Sequence, residues 1–233
     1  MFVRRQTVAE PRRGRRRRAL GQAGFTLTET LVATAVGLVA LGTFTTFSVD
    51  QMYTMTNQTG QVDLQASARS IVDLFASEAR RAGTNTNPTC SGTNSTGLIK
   101  ARTTQVQFRA DLDGNGQLNG TNEDVTYTIN LGDGSPNVTR TDNGASRSDT
   151  LWFGTSLAGS QFTYFDGNGS QLTGDSGGLS NSQLLQVRRI RFQLKLTANT
   201  ADPGDSLQLT ASEVADVELR NRYFVMAATC PYN

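Results

Sequence analysis

Histidine is absent from the 233 residues, which removes Ser-His-Asp and Cys-His catalysis, histidine metal sites and any imidazole base. Cysteine is scarce. Cys90 and Cys230 alone are too few for a disulfide framework or a thiolate metal cluster. Lysine is limited to Lys100 and Lys195, and aromatic residues make up 7% of the chain. The glycine-rich turns contain no GxxxxGK[ST] and no GxGxxG between a strand and a helix, so nucleotide binding has no support. Without a nucleophile and base in view, the sequence is not expected to encode an enzyme.

What is present is unevenly distributed. Residues 1–24 hold eight arginines (4, 5, 12, 13 and 15–18) against Glu10, a net of +7; the remaining 209 residues hold 14 basic and 19 acidic groups, a net of −5. Directly after the arginines, Phe25 to Phe47 is a mostly apolar run of 23 residues whose centre, Leu31 to Gly42, carries one hydroxyl and no charge. A helix of this length spans a hydrocarbon core of about 30 Å. Positive charge before it keeps the N-terminus cytoplasmic and sends the rest outward. The arginine run is better explained by topology than by nucleic acid, and no nucleic-acid partner is expected.

Three details decide between a discarded signal and a retained anchor. Glu29 stands inside the apolar run, where a secretory core avoids charge. No small-x-small cleavage site follows the run, no lipid-attachment cysteine does either, and Ala33-Thr34-Ala35 falls too early. A twin-arginine signal would need the same missing site. The third detail is the junction Gly24-Phe25-Thr26-Leu27-Thr28-Glu29.

This junction, with a basic leader before it and an apolar helix after it, resembles the class III leader of type IV prepilins and pseudopilins. The resemblance implies cleavage by a prepilin peptidase between Gly24 and Phe25, N-methylation of Phe25, and retention of the helix. It also gives Glu29 a task. A carboxylate in hydrocarbon needs a partner, and the Phe25 amine of a neighbouring subunit would supply one in a filament; a Glu that snorkels to water is the plainer alternative. Major pilins usually carry proline at the position of Thr46, which is a departure here.

Beyond the membrane the helix is expected to continue to about Arg81. Leu64, Ala68, Ile71, Phe75, Ala79 and Ala82 follow helical spacing, with Gln61, Gln65, Arg69, Asp73, Ser77 and Arg80 opposite. Gly83 is a natural stop before the loop 84–97, while Gly37, Gly42 and Gly60 read as weak points. From residue 98 the period becomes alternating. Strands are expected at Leu98–Ala101, Gln105–Ala110, Asp124–Leu131, Val138–Thr141, Thr150–Phe153, Gln161–Phe165, Leu184–Leu196, Ser206–Thr210 and Ala215–Val225. Arginines 189, 191, 220 and 222 are expected on a solvated or cross-strand paired face. A single antiparallel sheet over the amphipathic half of the helix would account for both patterns, an α+β, pilin-like fold. The implied organisation is a leader (1–24), a transmembrane half-helix (25–48), an amphipathic half-helix (49–83) and a β-rich domain (84–233).

Several internal pieces extend the resemblance to PilW-type minor pilins: Phe75-Ala-Ser-Glu-Ala-Arg-Arg-Ala-Gly83 before Cys90, Asp111-Leu-Asp-Gly-Asn-Gly116 before Glu123-Asp-Val-Thr-Tyr127, Tyr164-Phe-Asp-Gly-Asn-Gly169, and Val217-Glu-Leu-Arg-Asn-Arg222. The implied role is a structural subunit that helps initiate or cap a type IV pilus. It would reside in the bacterial inner membrane with its C-terminal domain periplasmic, and then in the fibre. The implied partners are the prepilin peptidase, other major and minor pilins, the inner-membrane assembly platform and an adhesin at the tip. A minor pseudopilin of type II secretion shares the leader and general fold. A membrane-anchored calcium-binding or adhesive module outside any filament is a third reading.

Two local features remain. In an oxidising periplasm a Cys90–Cys230 bridge would pin the chain end to the helix–sheet loop, worth about 4–5 kcal/mol in the entropic model; two unpaired thiols are the alternative. Asp111, Asp113 and Asn115 stand at positions 1, 3 and 5 of an EF-hand-like loop with Gly116 at 6 and Gln117 at 7. Position 12 is Asn122, and Glu123 comes one residue late. No cofactor is required for the implied role, and calcium on these residues is an optional ligand, since a plain turn uses the same residue types. The Asp166–Ser170 stretch, with fewer carboxylates, reads as a turn.

Overall fold

A computed structural model describes residues 24–84, 97–132, 134–202 and 207–220. The chain divides into two units, Met1–Val49 and Asp50–Asn233. Helix α1 runs from Leu27 to Ala79. In the first unit its residues are exposed throughout, from Leu27 at 81% through Leu38 at 70% to Phe47 at 60%. It starts on a reciprocal cap: the Glu29 backbone N–H donates to Thr26 Oγ1 at 3.3 Å, and Thr26 N donates to Glu29 Oε2 at 3.4 Å. This is the T-x-x-E capping box, which occupies amides that a first turn leaves unpaired. Farther along, the hydroxyls of Thr30, Thr34, Thr43, Thr45, Thr46 and Ser48 donate back to carbonyls three or four residues earlier. The segment therefore carries its hydroxyls without unsatisfied donors.

In the second unit the same helix becomes part of a core. Leu64, Ala68, Ile71, Phe75, Ala79 and Ala82 are all buried, as their spacing predicts. Strands β1 (Leu98–Ala101), β2 (Gln105–Arg109), β3 (Asp124–Asn130), β4 (Asn137–Asp142) and β5 (Arg147–Phe153) form an antiparallel meander in that order. A second antiparallel sheet, ordered β7-β6-β8-β9, contains β6 (Gln161–Phe165), β7 (Gln171–Leu172), β8 (Arg189–Asn199) and β9 (Gln208–Glu218). The α+β fold expected from the sequence is present, but its single sheet is two. Alternation fixes which face of a strand is buried and leaves its neighbours open.

Phe75 shows why two sheets suit this helix. Its ring lies 5.3 Å from Tyr127 and 6.1 Å from Phe108 of the first sheet, and 4.9 Å from Phe192 and 5.4 Å from Phe162 of the second. One helical side chain thus closes both sheets into one core. The turn between β1 and β2 joins them elsewhere: Thr103 O accepts from Phe162 N at 2.8 Å, and Arg102 O accepts from the Tyr164 hydroxyl at 2.8 Å. Burial of Tyr164 pushes its phenol well above the ordinary range.

Three further differences from the expected elements have local causes. Leu184, placed by its apolar character at the start of a strand, lies in helix α2 (Asn181–Gln186), which Ser180 and Gln183 close with a capping box. Within the described residues, the expected strands at 206–210 and 215–225 fall in one strand, β9, because β8 pairs with it residue by residue from Arg189↔Glu218 to Asn199↔Gln208; residues 206 and 221–225 lie outside the described residues. That ladder overrides the weak strand preference of Ala211-Ser-Glu213. Gly60 interrupts nothing: an added Cβ would meet Leu209 Cδ1 at 3.0 Å, and the neighbouring Gln61 amide donates to Thr210 O at 2.9 Å. The glycine lets the helix approach β9.

Candidate functional site

The N-terminal segment holds three of the residues singled out from the sequence. Gly24 and Phe25 precede α1, and Glu29 stands in its first turn. All three are exposed. Among the described residues the Glu29 carboxylate accepts from the Thr26 backbone amide and lies where the helix dipole favours negative charge. Around it Val32, Ala33, Val36, Gly37 and Ala40 form an open apolar groove along the helix surface. α1 is, among the described residues, the helix long and apolar enough to cross a membrane. Such a surface is chemically inert. It can partition into hydrocarbon and pack against similar helices.

The acidic loop between β2 and β3 brings Asp111, Asp113 and Glu123 together, with one carboxylate oxygen from each within 4.8 Å of the others. Asp111 accepts from Gly114 N at 2.7 Å and Gly116 N at 3.0 Å; Glu123 accepts from Leu112 N at 2.8 Å and Gly120 N at 2.7 Å. Positive φ at Gly114 and Gly116 gives the turn its sharpness. Asn115 Oδ1 accepts from Gln117 N at 2.7 Å, and its amide donates to Asp113 at 2.8 Å. A carboxylate has about four acceptor positions, so the three acids keep capacity to ligate a divalent cation through oxygen. Of the five expected ligands, the structure brings the carboxylates of Asp111, Asp113 and Glu123 together as residues able to hold one, while the Asn115 side chain is engaged by Asp113 and by Gln117 N. The Asp166–Ser170 stretch is the turn expected, with Asp166 Oδ1 accepting from Asn168 N and Ser170 N. Cys90 and Cys230 lie outside the described residues, as do leader residues 1–23, Arg222 and Tyr223.

Sequence reasoning missed a buried ionic cluster. Glu78, only 6% exposed, receives Arg140 Nη2 at 2.7 Å, Arg140 Nε at 3.1 Å and the Tyr127 hydroxyl at 2.5 Å. Arg140 also donates to Asn122 Oδ1 at 2.7 Å. Burial, then the Glu78 charge, holds the Tyr127 phenol well above its ordinary value, and the hydrogen bond to Glu78 raises Arg140. The signal was available: Glu78 lies three residues after Phe75 and seven after Ile71, on the apolar stripe. Val138, Arg140 and Asp142 alternate inward on β4. The cluster pins the helix to the first sheet and presents no open site. On the outer face of the second sheet, Arg191 and Asp216 pair across β8 and β9 at 2.8 and 2.9 Å, the cross-strand pairing expected. The Arg191 hydrogen bond holds the Asp216 carboxyl below the usual range.

No protein-family model matches this chain, and no curated protein does. Among solved structures, a type IV-like pilin from Thermus thermophilus is similar at a TM-score of 0.37 and 13% sequence identity, over 70% of this chain and 97% of that one.

Proposed function

We propose that the chain is a non-enzymatic type IV pilin-like subunit, a minor pilin of the PilW type that helps initiate or cap a pilus. The observation that carries this reading is the contrast within α1. Its first half is apolar and exposed, yet contains Glu29, while the stripe from Leu64 to Ala79 is sealed into a folded domain. A free-standing soluble protein has no use for so large an exposed apolar surface. A subunit that rests in the inner membrane and then packs laterally does.

In this reading prepilin peptidase cuts after Gly24, Phe25 is methylated, and the new amine of one subunit meets Glu29 of the next. The attraction sets the register of packing, because a carboxylate in a nonpolar bundle is costly unless paired. The assembly platform extracts the helix, other pilins surround it, and the domain from Asp50 onward is presented outside the cell, to a tip adhesin among others. Calcium is not needed for these steps; where present, Asp111, Asp113 and Glu123 hold it, and its addition raises the melting temperature of wild type but not of Glu123→Gln.

Glu29→Ala tests the assembly step. The variant is expected to be processed and membrane-retained but absent from sheared surface fibres, with the domain's melting temperature unchanged. Normal incorporation would overturn the reading. Wild-type protein confined to a periplasmic secretion complex would favour the pseudopilin alternative.

A further inference from the structure

The chain contains four Asn-Gly pairs, 115–116, 119–120, 143–144 and 168–169. The glycine amide nitrogen after an asparagine is unhindered by a Cβ and can attack the side-chain carbonyl. Two conditions govern that attack in a folded chain: the asparagine amide must be free to turn, and the glycine N–H must not be held by a short or charge-assisted hydrogen bond.

The structure separates the four pairs on these conditions. Asn115 is tied through its amide to Asp113 and through its oxygen to Gln117 N, and Gly116 N donates to the buried Asp111 at 3.0 Å. Gly120 N donates to the buried Glu123 carboxylate at 2.7 Å, a charge-assisted bond. The Asn143 amide donates to Asp124 at 2.8 Å and to Thr126 at 2.9 Å. The following Gly144 is wedged so closely that an added Cβ would stand 2.0 Å from Gly120 O. Asn168 differs. It is exposed, among the described residues its side-chain amide has no hydrogen-bond partner, and the Gly169 N–H donates a long hydrogen bond, 3.3 Å, to the uncharged Asp166 carbonyl. Gly169 has open space about its Cα, with φ at +82°.

We infer that Asn168–Gly169 is this protein's site of spontaneous deamidation. The Gly169 nitrogen gives its proton to solvent base and bonds to Asn168 Cγ. The bond from Cγ to the side-chain nitrogen breaks, and ammonia leaves. Water then opens the cyclic imide at either carbonyl, yielding aspartate or isoaspartate, with no change of oxidation state. The product places a new negative charge in the turn that borders a cleft of about 410 Å³ lined by Arg188, Arg189, Glu218 and Arg220.

The test is peptide mapping by mass spectrometry of the full chain in detergent micelles, held in mildly alkaline buffer with and without urea. In the folded protein Asn168 is expected to convert about tenfold faster than Asn115, Asn119 and Asn143, and in urea the four rates should converge. Asn168→Gln should abolish the early conversion with the circular dichroism spectrum unchanged. Faster conversion at another pair, an unreactive Asn168, or the same rank order in urea would overturn the inference.

Discussion

The two halves of α1 use one backbone for opposite purposes. Between Leu27 and Val49 every residue is exposed, and apolar side chains lie on all sides. Between Leu64 and Ala79 the buried apolar residues Leu64, Ala68, Ile71, Val72, Phe75, Ala76 and Ala79 form one stripe, and both sheets cover it. A helix that is apolar all round needs a nonpolar surrounding, whereas an amphipathic one needs a core. The comparison teaches that the surface that stabilises the domain and the surface left open to hydrocarbon or to other helices lie in separate stretches of a single helix. Changes in one half should leave the other's property intact.

The largest expected effect is in the second half. Phe75→Ala removes the ring that meets four aromatic neighbours and should cost about 3–5 kcal/mol, measured as a fall in the urea midpoint of the domain. Membrane retention of the chain should persist. Loss of retention would break the separation.

Glu78→Ala should cost nearly as much, about 3–5 kcal/mol, because it leaves Arg140 buried without its counter-charge. Tyr127→Phe keeps the ion pair and should cost only about 1.5–3 kcal/mol, the range for a hydrogen bond to a charged group. Equal losses in the two variants would mean that the phenol, and not the ion pair, does the pinning.

Leu38→Asp sharpens the comparison from the other side. Insertion of the segment should be penalised by about 2.5–3.5 kcal/mol, seen as loss from the membrane fraction. The domain's unfolding midpoint should change by no more than about 0.5 kcal/mol.

Smaller effects come from pH. The Tyr127 and Tyr164 phenols are raised above their unfolded values. Their contribution is therefore complete below pH of about 10 and is lost as pH rises from there toward the folded-state values. A pH series of melts should show this alkaline loss, reduced in Tyr164→Phe. Asp216 is lowered, so its contribution is present above the unfolded value near 3.8 and fades as pH falls through the folded one. The pair with Arg191 is exposed and solvent-screened, and Asp216→Asn should flatten the acid limb only slightly.

Much of this arrangement was legible in the sequence, and the failures share a physical reason. The apolar run, the stripe from Leu64 to Ala82 and most strands are local patterns, each set by which face must leave water. Glu78 is not legible, because spacing identifies a buried position but does not say whether partners from 49 and 62 residues away, Tyr127 and Arg140, will satisfy a charge there. The division into two sheets and the continuity of β9 likewise depend on pairing between distant strands. Helix α2 and the start of α1 are different. Their capping residues, Ser180 with Gln183 and Thr26 with Glu29, stand three apart and were readable.

At the N-terminal segment the sequence named Gly24, Phe25 and Glu29, and the structure adds their exposure and the Thr26–Glu29 cap. The partners proposed for them belong to other molecules. The most direct measurement is therefore intact mass with N-terminal sequencing of the protein purified from its host's membranes. A chain beginning at methylated Phe25, with the apolar half of α1 retained, is the result expected. A chain beginning at Met1 would contradict the proposed processing, and one cut beyond Phe47 would contradict the claim that this half is kept for assembly.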